Sequence, residues 1–131
     1  MVIDTSAVIA ILTAEPSAPQ AARAIEAGAS RLLSAASLLE ASIVIETRKG
    51  EAGARELDLL IYRAAIDIVA VDSDQAEIAR VAWRRFGKGR HPAGLSYGDC
   101  FAYALAKSRD LPLLFCGGDF THTDLERVPL D

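Results

Sequence analysis

The chain has 131 residues, of which 51% are hydrophobic and 6% aromatic, and its formal net charge is −4. This length predicts a single domain over residues 1–131, with a core of small aliphatic side chains. The acidic balance excludes a general nucleic-acid coat protein, whose affinity depends on an excess of Lys and Arg, but it allows an enzyme with a local basic rim and a metal ion.

The two cysteines, Cys100 and Cys116, are too few for a disulfide framework or a zinc site, and we interpret both as buried thiols of a reducing cytoplasm. The apolar start, MVIDTSAVIAIL, has no basic n-region and no convincing cleavage site. No apolar run approaches the about 18 residues of a membrane span. We therefore expect a soluble cytoplasmic protein that does not bind a membrane.

Short apolar runs alternate with helical patterns along the whole chain. The predicted strands, the last of them a candidate edge strand, are 1–4, 31–34, 68–71, 111–115 and 128–130. The predicted helices are 6–12 (capped by Thr5 or Ser6), 17–27, 37–50, 51–66, 73–86 (capped by Asp72 or Ser73) and 96–108. This alternation predicts an α/β fold, in which a central, mostly parallel sheet of four to five strands has helices on both faces.

Four acids stand near the ends of predicted strands or the starts of predicted helices: Asp4, Glu40, Asp99 and Asp119. In an open parallel sheet, ligands bind in the crevice outside the carboxyl ends of the strands, so acids far apart in sequence can meet there. Clustered carboxylates repel each other unless a cation neutralises them, and hard divalent ions prefer oxygen ligands. The simplest purpose of such a pocket is magnesium-dependent phosphodiester chemistry.

Two of these acids also have a local explanation. Glu40 and Asp99 each lie three residues after a serine, Ser37 and Ser96, which is the S-x-x-[DE] spacing of a capping box. Capping boxes are common at helix starts, so each acid taken alone is better explained by capping.

The other two acids have local explanations too, but the joint pattern exceeds them. Asp4 suits a helix cap, and Asp119 suits a turn beside Gly118. However, Asp99 begins a helix with an apolar, core-like sequence, LSYGDCFAYALA, and the segment LLFCGGDF should bring Asp119 to the same sheet edge as Asp4. Four acids at one edge are more than capping requires.

Four segments in this order resemble the PIN-domain ribonucleases and, more narrowly, the VapC-type toxins of bacterial toxin–antitoxin pairs: VIDTSAVIAIL, SAASLLEASIVIE, LSYGDCFAYALA and LLFCGGDFTHTDL. The resemblance covers nearly the whole chain. It implies a PIN-like three-layer sandwich and a Mg²⁺-dependent endoribonuclease, with Mn²⁺ as an alternative ion. It also implies that Asp4, Glu40, Asp99 and Asp119 form the acidic metal site and that Ser6 assists through its hydroxyl.

One corner of the implied site departs from the family pattern. Relatives often carry a second polar or acidic residue next to the last acid, whereas this chain has Gly117 and Gly118 before Asp119. Fewer oxygen ligands there would weaken a second metal ion, and Asp124 is an alternative to Asp119.

A basic cluster lies in or beside the glycine-rich loop 87–94 and consists of Arg84, Arg85, Lys88, Arg90 and His91. A solvated surface explains such a cluster as well as a function does. Its position before the Asp99 helix favours a rim for RNA phosphates.

The resemblance also implies partners, namely an RNA substrate, a cognate VapB-like antitoxin and a second copy of the chain in a homodimer. The apolar helices over 37–66 offer surface for such contacts, although core packing explains the same residues.

The main rival is a catalytically weak PIN module that acts mainly as a protein-binding partner. A response-regulator receiver lacks its paired early acids and its late lysine here, and the GGDF segment lacks the glutamate and the longer domain of a diguanylate cyclase.

Overall fold

The computed structural model describes residues 1–131 and contains four strands and five helices. The strands are β1 (Val2–Ile3), β2 (Leu32–Ser34), β3 (Asp67–Val69) and β4 (Leu113–Leu114). The helices are α1 (Thr5–Leu12), α2 (Ala18–Ala27), α3 (Ala35–Arg63), α4 (Ser73–Phe86) and α5 (Tyr97–Arg109). None of these helices has the length and apolar character needed to cross a bilayer.

The four strands form one parallel sheet in the order β3-β2-β1-β4, as the alternating pattern predicts. From β1 the chain builds outward through β2 to β3, and it then returns to place β4 on the other side of β1. The sheet therefore reverses its direction of growth between β1 and β4. In open α/β sheets a ligand crevice lies at this switch point, outside the carboxyl ends of the strands.

Helices cover both faces of the sheet because successive strand residues point to opposite faces. Ile3 and Leu114 join the core under α1, α2 and α3, whereas their neighbours Val2 and Leu113 join the core under α4 and α5. All four side chains are fully buried. This confirms the expected three-layer arrangement.

Helix α3 carries a sharp break at Gly50, where the sequence predicts the boundary between two helices. Gly50 has φ +64° and ψ −152°, a backbone region that is essentially restricted to glycine. The segments before and after it are both helical, so two helices meet at a kink at Gly50, as the sequence predicts.

The start of α3 differs from the prediction. The helix begins at Ala35, and the Ser34 hydroxyl accepts a hydrogen bond from the Ala36 amide at 3.3 Å. Ser37 therefore lies inside the helix, where it is buried and its hydroxyl oxygen has no hydrogen-bond partner. The predicted Ser37–Glu40 capping box is wrong, because β2 leads into α3 without a loop and the first turn starts earlier.

The predicted edge strand over 128–130 is also wrong. A single parallel bridge joins Leu113 to Arg127, and the Val128 amide donates to the Leu113 carbonyl at 2.9 Å. Pro129 follows at once, and proline has no amide proton to extend a ladder. The C-terminal segment therefore lies along β4 without forming a strand.

Candidate functional site

Asp4 connects β1 to α1 and lies at the switch point of the sheet. It caps α1, since its Oδ2 accepts a hydrogen bond from the Ser6 amide at 3.0 Å. The cap is thus Asp4 and not Thr5 or Ser6. Its own amide donates to the Leu114 carbonyl of β4 at 2.9 Å, which fixes Asp4 between the two strands.

The carboxyl of Asp4 is only 4% exposed. Burial raises its pKa to about 6. Hydrogen bonds from the Ser6 side chain and amide lower the pKa, and the charges of Asp99 and Glu40 raise it further. The carboxylate form is therefore less stable in this pocket than in water, and a bound cation would compensate its charge.

Ser6 joins the two strand ends as well as supporting Asp4. Its hydroxyl oxygen accepts a hydrogen bond from the Cys116 amide at 3.0 Å, just beyond β4. Cys116 is half-buried, Cys100 is buried, and both are free thiols. The serine predicted to assist the site thus holds the Asp4 corner against the segment that leads to Asp119.

Asp99 stands in the first turn of α5 and forms the predicted capping box with Ser96. The Asp99 amide donates to the Ser96 hydroxyl at 3.2 Å, and the Ser96 amide donates to Asp99 Oδ2 at 2.9 Å. Burial raises the pKa of Asp99, the Ser96 hydrogen bonds lower it, and the charges of Asp119 and Glu40 add to the rise. Capping and membership of the acidic crevice therefore coincide in this residue.

Glu40 reaches the same crevice from α3 because α5 has a glycine where the two helices meet. A Cβ on Gly98 would lie 2.8 Å from Glu40 Cδ and 2.9 Å from Oε1. Gly98 therefore leaves room for the Glu40 carboxylate beside the first turn of α5. The sequence analysis missed this residue, although a glycine directly before an acid in a helix start was the available signal.

Asp119 and Asp124 have different surroundings. Asp119 lies exposed in the loop after β4, close enough for its charge to raise the pKa of Asp99. Asp124 instead accepts a hydrogen bond from the Tyr103 hydroxyl at 2.6 Å and forms an ion pair with Lys107 at 2.9 Å. Asp124 therefore ties the C-terminal segment to α5, and Asp119 is the better candidate for the acidic crevice.

Asp99 and Glu40 lie close enough for their charges to act on Asp4, and Asp119 and Glu40 lie close enough to act on Asp99, so the fold brings the four acids into one region. No three acid, cysteine or histidine side chains converge closely enough to enclose a metal ion by themselves. This arrangement fits Mg²⁺, which keeps several of its waters and is bound through one or two carboxylates and substrate phosphates. Asp4, Glu40, Asp99 and Asp119 are the candidate ligands for such an ion.

Two members of the basic cluster have structural partners. Arg85 lies 3.6 Å from Asp124 and stacks over Phe86, with its guanidinium carbon 4.6 Å from the ring centroid. His91 accepts a hydrogen bond from the Ala93 amide through Nδ1 and meets the Phe86 ring edge-on. These contacts shape the loop and give His91 a structural role in it.

The other three members of the cluster are exposed and form no ion pair. Arg84 and Lys88 carry uncompensated charge at the surface. Arg90 stacks over Trp83, with its guanidinium carbon 4.1 Å from the ring centroid. These three cations are the part of the predicted rim that is available to an anionic partner.

The comparisons with known proteins agree on one family. A family model described as "PIN domain" matches residues 1–126. Ribonuclease VapC30 of Mycobacterium tuberculosis (strain H37Rv) is 59% identical over 130 residues, which cover 99% of each chain.

Two solved structures share the fold at low sequence identity. The first is the crystal structure of M. tuberculosis VapC20, described as a sarcin–ricin loop cleaving toxin, with a TM-score of 0.79 at 18% identity and coverage of 97% of each chain. The second is a toxin–antitoxin complex from Klebsiella pneumoniae, with a TM-score of 0.66 at 18% identity and coverage of 94% of this chain and 92% of the other.

Proposed function

The chain belongs to the PIN-domain family and, within it, to the VapC ribonucleases, and on this premise we propose that Asp4, Glu40, Asp99 and Asp119 form the Mg²⁺-dependent site at which it hydrolyses RNA. Family membership confirms the resemblance in the sequence. The observation that supports the site is the surroundings of two carboxyls: burial first, and then the charges of Asp99 and Glu40, raise the pKa of Asp4, while burial first, and then the charges of Asp119 and Glu40, raise the pKa of Asp99.

The residues of the site have separable roles. Asp4 and Asp99 would hold the ion directly, and Glu40 and Asp119 would hold its waters. A bound Mg²⁺ lowers the pKa of a coordinated water and stabilises the charge that develops on the phosphate. The Ser6 and Ser96 hydrogen bonds fix the orientation of the buried Asp4 and half-buried Asp99 carboxylates, so little reorganisation is needed when substrate arrives.

An RNA substrate also needs positive charge beside these acids, because a cluster of carboxylates repels phosphate. Arg84, Lys88 and Arg90 supply exposed cations in the segment just before α5. VapC30, at 59% identity, is named a ribonuclease. Both observations favour RNA as the substrate, in spite of the net charge of −4.

We propose an antitoxin as the partner that silences the enzyme. One solved neighbour is described as a toxin–antitoxin complex. In this chain an apolar groove of about 510 Å³ runs between α1, α2 and α3, with Leu12, Ile25, Leu59 and Leu60 among its lining residues. Such a groove suits the apolar face of a partner helix.

A homodimer has separate support on the first half of α3. Leu39 and Ile43 are spaced four residues apart, so they lie on one face of the helix, and they are 62% and 59% exposed. This exposed pair next to Glu40 would suit a contact with a second copy of the chain.

The alternative function is a catalytically weak module that mainly binds a protein partner. The observation that favours it is the corner at Gly117 and Gly118, which offers no side-chain oxygen beside Asp119. Both functions predict partner binding, so only turnover separates them.

The test is cleavage of total cellular RNA by antitoxin-free protein, with Mg²⁺ or Mn²⁺ titrated against EDTA. Asp99→Asn and Asp119→Asn should each lower the rate of RNA cleavage. For Asp99→Asn the decrease should be about 100-fold or more, which is typical of the loss of a key transition-state contact. Asp124→Asn is the matched control, because Asp124 lies at the Tyr103 contact and should leave the rate within a few-fold of the parent.

Cutting that persists in EDTA or in Asp99→Asn would contradict the proposed site. If Asp124→Asn loses RNA cleavage while Asp119→Asn remains active, Asp124 and not Asp119 belongs to the catalytic site. A folded, metal-loaded protein that cuts no RNA would favour the binding module.

A further inference from the structure

A second groove, which we call the aromatic groove, lies between α4 and the N-terminal turns of α5, the helix that carries Asp99. It has a volume of about 440 Å³, within the range of small-molecule sites. Its lining residues are Ala76, Ala79, Arg80, Trp83, Arg84, Tyr97, Cys100 and Phe101.

The groove follows from the spacing of these residues on two packed helices. The residues from α4 recur at steps of three and four, and so do those from α5, which places each set on one helical face. Three small side chains, Ala76, Ala79 and Cys100, leave space between the helices. Trp83 and Tyr97 therefore border an open slot.

The aromatic residues of this groove are not core residues. Tyr97 is 82% exposed and Trp83 is 43% exposed, whereas Tyr103 on the same helix as Tyr97 is 3% exposed. The Tyr97 ring meets Phe101 edge-on at a centroid distance of 5.0 Å. Folding gains little from rings left in solvent, but exposed flat rings suit stacking with a planar ligand.

The charge around the groove favours an anionic ligand. Arg84 lines it without an ion-pair partner, and Arg90 stacks on the ring of Trp83. Arg80 also lines it but is paired with the exposed Glu77 at 2.9 Å. Aromatic rings combined with arginines are the usual surface for single-stranded nucleic acid, whose bases stack while its phosphates bind the cations.

The first turn of α5 carries both Asp99 and two residues that line the groove, Tyr97 and Cys100. Tyr97 precedes Asp99 by two residues, so the two side chains leave opposite sides of the same helix start. Their separation is of the order of one helix diameter, about 10 Å. A few nucleotides of an extended single strand can span this distance.

We propose that the aromatic groove binds a base of the single-stranded RNA substrate, close to the phosphate that is cleaved. The base stacks on Tyr97 and Trp83, and Arg84 binds a neighbouring phosphate. This inference rests on the proposed function for the identity of the substrate. The inference assigns substrate binding to Tyr97 and Trp83, two residues that the acidic motifs of the sequence do not indicate.

Trp83 provides a direct signal, because it is the only tryptophan of the chain. Short single-stranded RNA oligonucleotides, oligo(A) and oligo(U), are titrated in EDTA, which prevents metal-dependent turnover. Stacking should quench the Trp83 fluorescence of the parent chain. Tyr97→Ala should raise the Kd about tenfold or more, and Tyr97→Phe should restore binding because it retains the ring.

The matched control is Tyr62→Ala, which removes a tyrosine of equal exposure, 83%, from the far end of α3. It should leave the Kd unchanged. Tyr97→Leu keeps an apolar side chain without an aromatic ring, so it should bind as weakly as Tyr97→Ala. If Tyr97→Leu binds as well as Tyr97→Phe, stacking is refuted.

Kinetics separate failure of this inference from failure of the proposed function. Tyr97→Ala should raise KM for RNA and leave kcat close to that of the parent, whereas Asp99→Asn should lower kcat. A parent chain that cuts no RNA but shows Tyr97-dependent quenching would refute the proposed function and support the groove.

Two further results would overturn the inference itself. One is an unchanged Kd and KM in Tyr97→Ala. The other is a change in the oligomeric state of Tyr97→Ala, measured as molecular mass by light scattering, that explains all of its lost RNA binding. That second result would make the groove an interface between copies of the chain.

Discussion

The buried carboxyl of Asp4 has two tasks that place opposite demands on its charge. As the cap of α1 it accepts the Ser6 amide at the positive end of the helix dipole, which favours the carboxylate. Burial beside Asp99 and Glu40 disfavours the carboxylate and dominates the balance. A residue that only capped a helix would gain nothing from this burial, so the raised pKa is consistent with a role in binding a cation.

Asp4→Asn should stabilise the metal-free protein at neutral pH. The folded-state pKa of about 6 lies above the ordinary value of 3.8, so the stability that protonated Asp4 contributes is complete below pH 4 and is lost as the pH rises through 6. Asparagine keeps an acceptor for the Ser6 amide and carries no charge. Its advantage in free energy of unfolding should grow between pH 4 and pH 7 to about 3 kcal/mol.

Urea unfolding in EDTA at a series of pH values measures this difference between the parent and Asp4→Asn. A difference that stays constant from pH 4 to pH 8 would contradict the raised pKa of Asp4.

Gly98→Ala should reduce activity without loss of stability. The added methyl group would displace the Glu40 carboxylate from the first turn of α5, so RNA cleavage should fall by about tenfold, as for a misplaced supporting group. The helical backbone itself favours alanine over glycine, by up to about 1 kcal/mol. Cleavage rates and thermal unfolding of the same preparations test both halves of the prediction.

A second comparison tests whether the effect acts through Glu40. In a Glu40→Ala background the clash is absent, so Gly98→Ala should cost little further activity. Full additivity of the two substitutions would mean that Gly98 acts through some other contact.

At the scale of elements, short strands lead into helices with almost no loop. Asp4 alone separates β1 from α1, and β2 passes directly into α3 at Ala35. Such tight junctions carry Asp4 and Glu40 to the carboxyl edge of the sheet on rigid backbone. The one long element, α3, relies on its kink at Gly50 to turn its second half.

Gly50→Ala should destabilise the protein by about 1–3 kcal/mol, because alanine is strained at φ +64° and ψ −152°. No atom lies within 4 Å of an added Cβ, so backbone strain is the only cost. Urea unfolding measures the change, and Glu51→Ala, at the next position on the surface, is the control. Unchanged stability in Gly50→Ala would mean that α3 tolerates a straight path.

At the scale of the whole molecule, the switch point between β1 and β4 collects acids from three regions of the chain. Asp4 follows β1, Asp119 follows β4, and Asp99 begins the helix that packs beneath both strands. Burial, and then the charges of neighbouring acids, disfavour the ionised forms of Asp4 and Asp99, which opposes folding in the absence of a cation. The native state therefore carries a local electrostatic cost that a divalent ion can remove.

Mg²⁺ should raise the Tm of the parent chain in a saturable way, since an ion that binds only the folded state stabilises it. At 100 times the Kd the stabilisation is about 2.7 kcal/mol. Asp99→Asn should reduce the response strongly, and Asp124→Asn should retain it. A shift that NaCl of equal ionic strength reproduces would indicate screening and not a bound ion.

The sequence by itself determined the α/β class, the positions of most elements and the family, because strand and helix periods, caps and motif order are local properties. The Asp72 cap of α4 and the Ser96–Asp99 capping box are cases in which local chemistry alone was sufficient. The Ser37–Glu40 capping box and the strand over 128–130 failed for lack of tertiary information. The capping box depends on where β2 ends, and the strand depends on which backbone groups lie opposite Leu113.

Only the tertiary structure decided which acids lie near one another and what lies beside them. Asp119 and Asp124 are equivalent in sequence character, but Tyr103 and Lys107 bind one of them and leave the other near Asp99. Gly98 and the aromatic groove are likewise products of helix packing between α5 and its neighbours. Charge coupling and side-chain clearance depend on distances across the fold, and no spacing along a single chain specifies those distances.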